Sequence, residues 1–174
     1  MRRLEDSLAQ YAESHRDRRN IATHCVGIPL IVFSLVVALA PVAFPVAGVG
    51  ITLAAVASVA ACAYWLVLDA PLGIAMAVIL FLMGAAASEI TARLPLAGVL
   101  ALAAALFAAG WALQFWGHWF EGRKPAFVDD VRQLLIGPLF VLAELVFLFG
   151  GRPALRRAIE ERAGPTVARR RGRA

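Results

Sequence analysis

The chain has 174 residues, of which 61% are hydrophobic and 17% charged, with seventeen Lys and Arg against twelve Asp and Glu. A mean hydropathy of +0.75 and apolar runs long enough to cross a bilayer exclude a soluble globular class and indicate an integral membrane protein. The basic balance does not indicate a nucleic-acid partner, since positive-inside loops give an otherwise neutral membrane protein a pI of this kind, here near 10.2.

Residues 1–25 form a charged arm, too long and too acidic for the n-region of a secretory signal. Within it Tyr11 and His15 are four apart, as are Asn20 and His24, so each pair shares a helix face. His15 and His24 are nine apart, which on one straight helix is half a rotation out of phase and roughly 13 Å along the axis. Both can serve one site only if the backbone turns between them, most simply around Arg16 to Asn20. Neutral imidazole is a common metal ligand and a costly group to leave unsatisfied near lipid, so histidines at the polar mouths of apolar runs point to a membrane-borne metal site.

Four spanning helices are expected next, over residues 26–44, 46–68, 72–88 and 94–113, forming a bundle over residues 26–113. Pro45 punctuates the first joint and Asp69-Ala70-Pro71 the second, so neighbouring helices should pack as antiparallel hairpins. The 72–88 segment reaches only about 25 Å, short of a full crossing. Cys25 and Cys62 lie far apart and outside any C-x-x-C spacing, the pattern of buried thiols.

Residues 114–133 read as a metal-binding and basic segment. Gln114, His118 and Glu121 are spaced four and three apart, one stripe on a helix that continues out of the fourth span. Trp111, Phe115, Trp116, Trp119 and Phe120 surround that stripe like an interfacial aromatic belt. Arg123 and Lys124 follow, where positive-inside charges are expected. Residues 134–149 are short, contain Gly137-Pro138 and carry Glu144 at a depth where a lone carboxylate is costly. They are expected to be a re-entrant or interfacial helix, the alternative being a fifth span. Residues 150–174 form a basic tail that favours anionic headgroups.

Sixteen of the seventeen Lys and Arg fall in the arm, in the stretch after the fourth span and in the tail, leaving only Arg93 elsewhere. Under the positive-inside rule these regions are cytoplasmic, so both termini share that side with His15, His24, Asp69, His118 and Glu121. The expected architecture is thus all-α, a polytopic membrane bundle with four spanning helices plus a re-entrant or interfacial helix.

Tyr11, the pattern His15-x4-Asn20-x3-His24 with Gly27-x-Pro29, and the run Gln114, Phe115, Gly117, His118, Glu121, Pro125 and Ala126, followed by Gly137-Pro138-Leu139-Phe140 and Glu144, resemble the membrane 2-hydroxy fatty acid dioxygenases. The resemblance extends over roughly residues 4–157 and includes Tyr64 and Asp69. It implies an Fe(II)-dependent α-oxidation. The expected location, with the active face cytoplasmic from the charge count, is a bacterial inner membrane. A 2-hydroxy fatty acid and O2 would give the acid one carbon shorter and CO2, the acyl chain lying between helices among membrane lipid. His15, His24 and His118 would be the iron ligands. Glu121 would be either a fourth ligand or an acceptor that orients a histidine, with Asn20, Gln114 and Asp69 as supporting groups and Arg123 and Lys124 toward the substrate carboxylate. This chain has no histidine between His24 and His118, so any further histidine used by other members is missing here. Two other classes fit the residues alone: a haem-binding electron carrier using His24 and His118, and a non-catalytic lipid-binding membrane protein. Three imidazoles and a carboxylate would also accept zinc.

Overall fold

The computed structural model describes residues 2–125 and 130–167. Ala126 of the sequence motif and the arginine-rich end from residue 168 lie outside the described residues.

The arm begins as helix α1 (Arg2–Ala12) and breaks over residues 13–17, and α2 (Arg18–Leu39) follows. The turn that the spacing of His15 and His24 requires is therefore present, slightly earlier than expected. α2 is one of three helices among the described residues that are long and apolar enough to cross a membrane, the others being α4 (Ala70–Arg93) and α5 (Leu96–Glu121). Those three satisfy what an integral membrane protein needs.

The helix of the second expected span is shorter than its apolar run. The end of the first run and the start of the second form a two-stranded antiparallel hairpin, β1 (Ala43–Val46) with β2 (Val49–Thr52), and the rest of the second run is α3 (Leu53–Leu68). Pro45 has no N–H to continue a helical ladder, and Val42, Val46, Val49 and Ile51 are β-branched residues that favour strand. Ala47 and Gly48 both take positive φ, 49° and 81°, as the tight hairpin turn demands. Thr52 then caps α3 by accepting from the Ala55 N–H at 3.1 Å. At 16 residues, α3 is about 24 Å long, too short to cross by itself without thinning the bilayer.

The third span departs in the other direction. α4 has 24 residues, about 36 Å, because its polar end stays helical. The Ser88 and Thr91 hydroxyls donate back to the carbonyls of Gly84 and Ser88, and Arg93 pairs with Glu89 at 2.8 Å.

Two compact units divide the chain. The first comprises residues 1–28 and 111–174, the second residues 29–110. In the second unit α3 and α4 are joined tightly through Asp69, whose side chain accepts from the Leu72 N–H at 3.1 Å. Gly73 lets α4 approach the α3 backbone: a Cβ there would stand 2.7 Å from the Leu66 nitrogen.

In the first unit, α6 (Gln133–Leu148) and α7 (Pro153–Ala163) follow α5. They meet at 117°, which excludes one straight crossing. α6 buries Ile136, Leu139, Phe140, Val141 and Ala143, and α1 buries Leu4, Leu8 and Ala12. This apolar packing fixes the arm beside α6.

Candidate metal centre

Two helices and one turn bring the chain's three histidines together. His15 stands in the break before α2, His24 lies on the second turn of α2, and His118 lies near the end of α5. All three are buried, and one ligand atom from each lies within 4.8 Å of the others. The ring centroids are 4.5 to 4.9 Å apart, and each pair of rings meets at 69° to 85°. Such edge-to-edge convergence suits three imidazoles aimed at a common point.

The hydrogen bonds set the tautomers. His15 Nδ1 lies 2.7 Å from the Tyr11 carbonyl and His24 Nδ1 lies 2.9 Å from the Asn20 carbonyl. A carbonyl can only accept, so each Nδ1 carries the proton and each neutral ring turns a lone pair outward at Nε2. Those two Nε2 atoms are 3.1 Å apart. Two lone pairs at that distance repel unless a cation or proton lies between them. Two nitrogens that each bind one ion at about 2.0–2.1 Å stand roughly 3 Å apart, so the observed separation would fit a shared ion. His118 Nδ1 is also buried, with no hydrogen-bond partner among the described residues. Burial first, then the proximity of His24, holds the His15 imidazole well below the ordinary histidine range, in the neutral form a metal needs.

The supporting groups are specific. The Tyr11 ring stacks on His15 with centroids 4.1 Å apart and planes 5° from parallel, and Phe140 backs Tyr11 at 4.9 Å. Glu121 Oε2 accepts from the Arg16 N–H at 3.0 Å, the Asp17 N–H at 2.7 Å and the Asn20 side-chain amide at 3.2 Å. The Asn20 amide also donates to the Ser14 carbonyl at 3.0 Å. Glu121 thus clamps the turn between the histidines.

Glycine makes the helix contact possible. A Cβ on Gly117 would collide with Thr23 Oγ1 and Asn20 Oδ1 and reach 3.1 Å from His24 Nδ1. A Cβ on Gly137 would reach 3.0 Å from the Tyr11 hydroxyl.

The remaining sequence candidates are placed differently. Gln114 is buried one turn before His118, its side-chain nitrogen lacking a hydrogen-bond partner among the described residues. Asp69 belongs to the other unit, where it caps α4. Arg123 and Lys124 are exposed beyond α5, with Arg123 Nη1 donating to the Glu13 carbonyl at 2.8 Å. Arg16 and Glu144 face each other at 3.5 Å, with side chains 3% and 17% exposed. No spacing rule links residues so far apart, so that ion pair carries no sequence signal.

A groove of about 620 Å3 also belongs to the unit that holds the histidines, lined by Ile21, Ala22, Cys25, Leu145 and Leu148, with Arg18 and Glu144 also on its walls.

The description "Mpo1-like: 2-hydroxy-palmitic acid dioxygenase Mpo1-like" belongs to a family whose profile matches residues 1–149. The chain belongs to the Mpo1-like family. It is similar to the 2-hydroxy-palmitic acid dioxygenase MPO1 of Saccharomyces cerevisiae (strain ATCC 204508 / S288c), with 32% identity over 159 residues. That alignment spans 90% of this chain and 87% of the yeast protein. No solved structure matches. The Mpo1-like match contains all three histidines, the Glu121 clamp and Gly117, and it ends before α7.

Proposed function

We propose that this chain is an iron(II)-dependent dioxygenase that performs α-oxidation of 2-hydroxy fatty acids. A 2-hydroxy acid and O2 become the fatty acid one carbon shorter, CO2 and water. The observation that carries the reading is the pair of lone-pair-bearing His15 and His24 Nε2 atoms 3.1 Å apart, with His118 completing the cluster. Together with the dioxygenase named among its relatives, it favours a redox-active ion over zinc, which has no redox chemistry.

When bound, iron supplies O2 activation and open positions suited to the hydroxyl and carboxylate oxygens of a 2-hydroxy acid. The protein's part is positioning. His15, His24 and His118 hold the ion, and the Tyr11 and Asn20 carbonyls fix the rings that donate to them. Glu121 and Asn20 hold the turn that brings His15 to His24. The Gln114 side-chain amide offers a donor to the substrate carboxylate, and Arg123 and Lys124 draw that carboxylate toward the surface end of α5. We assign the acyl chain to the groove beside Ile21, Ala22, Cys25 and Leu148, a volume in the usual range for ligand pockets. A haem carrier fits less well, because three imidazoles converging within 4.8 Å do not sandwich a macrocycle. In this reading the active face and both termini lie on the cytoplasmic side of a bacterial inner membrane, where the arginine-rich regions belong.

The test is O2 uptake and product analysis with 2-hydroxypalmitate after anaerobic loading with Fe(II). The proposal expects equal amounts of O2 consumed, CO2 released and pentadecanoate formed, with palmitate inert. Oxygen uptake that does not require the 2-hydroxyl group would refute it.

A further inference from the structure

The family match ends at residue 149, yet the chain beyond it returns to the histidine turn. α7 lies along α1, with Leu155 and Ile159 buried on one helix and Leu4 and Leu8 on the other. The Arg162 guanidinium pairs with Asp6. Gly164, at φ 82°, takes the backbone out of the helix. The next residues run beside the turn as a short parallel bridge between Asp17 and Val167. The Val167 N–H donates to the Arg16 carbonyl at 2.9 Å, and the Arg18 N–H donates to the Val167 carbonyl at 3.0 Å.

Arg16 is the point where these contacts meet. Its side chain is almost wholly buried: Nη1 donates to the Gly164 carbonyl at 2.9 Å, Nε donates to the Ala12 and His15 carbonyls at 3.0 Å each, and Nη2 faces Glu144. A non-helical link of five residues, 13–17, has no complete ladder of its own, so bonds from elsewhere decide whether it holds one shape. Glu121 supplies one set from within the matched region. Residues 164–167 supply the other from outside it.

We propose that residues 150–167 are a C-terminal brace for the metal centre, acting on His15 through Arg16 as a positioning residue. The inference rests on the metal reading above. If the segment only covered the apolar face of α1, the hydrogen bonds to Arg16 would not matter to the histidines.

Val167→Pro removes the N–H given to Arg16 while leaving the α7 packing residues in place. A chain ending at Gly164 removes the whole bridge, and one ending at Val167 serves as the control. Two measurements in nanodiscs separate the outcomes: hydrogen exchange over residues 13–20 in metal-free protein, and Co(II) affinity from its visible absorption. Val167→Pro and the Gly164-terminated chain should exchange that segment about ten-fold faster or more. They should bind Co(II) about 10- to 100-fold more weakly, the usual cost of losing a group that positions a ligand. The Val167-terminated chain should match the parent in both. Parent-like exchange, or faster exchange with unchanged Co(II) affinity, would overturn the brace. A parent that takes up no Co(II) would instead fail the metal reading, and the exchange arm would then decide whether 164–167 holds the turn. Should the shorter chain not fold, Val167→Pro decides alone.

Discussion

At the scale of single residues, the centre depends on small groups as much as on its imidazoles. Gly117→Ala would drive a methyl group into Thr23 and Asn20 and against His24. Because Asn20 holds both the His24 ring and the turn, metal affinity should fall about 10- to 100-fold. Helix content should be retained; titration with Co(II) beside circular dichroism checks both. The partners of His15 and His24 were legible because helical spacing links Tyr11 to His15 and Asn20 to His24. Arg16 was not, being one of five arginines in the arm with nothing local to distinguish it. Gly117 was visible as a motif letter, but its steric reason appears only once α2 lies against α5.

At the scale of elements, the sequence located the joints better than the lengths. Asp69-Ala70-Pro71 was readable because a cap followed by proline has a local mechanism, and Asp69 does cap α4. Hydropathy alone could not separate the β1–β2 hairpin from a span, since both are continuous apolar runs; Pro45 and the Ala47-Gly48 turn were the available signals. It also ended the third span at Ser88, where polar residues in fact continue the helix. The α3–α4 contact depends on a missing side chain. Gly73→Ala places a methyl 2.7 Å from the Leu66 nitrogen, a backbone atom that cannot rotate aside. This should cost about 1–3 kcal/mol, the usual range for overpacking, read as a lower unfolding midpoint in detergent. An unchanged midpoint would mean that the helices separate at little cost.

At the scale of the whole molecule, an apolar chain spends most of its scarce buried polar groups in one place. His15, His24, Asn20, Gln114, His118 and Glu121 are all buried within one unit, while the other is predominantly apolar helix and hairpin. Hydropathy made the membrane class readable, as the three long apolar helices bear out. What it could not supply is the fastening of the arm, which comes from contacts over long sequence separations: Glu121 to Asp17, Glu144 to Arg16 and Val167 to Arg16. The central claim, that three histidines form one iron centre, is tested most directly by metal analysis of purified protein reconstituted with Fe(II), alongside His15→Ala, His24→Ala and His118→Ala. One iron per chain in the parent, with loss of both iron and 2-hydroxypalmitate turnover in each folded variant, is the expected result; a full complement of iron with retained turnover in the variants would contradict it.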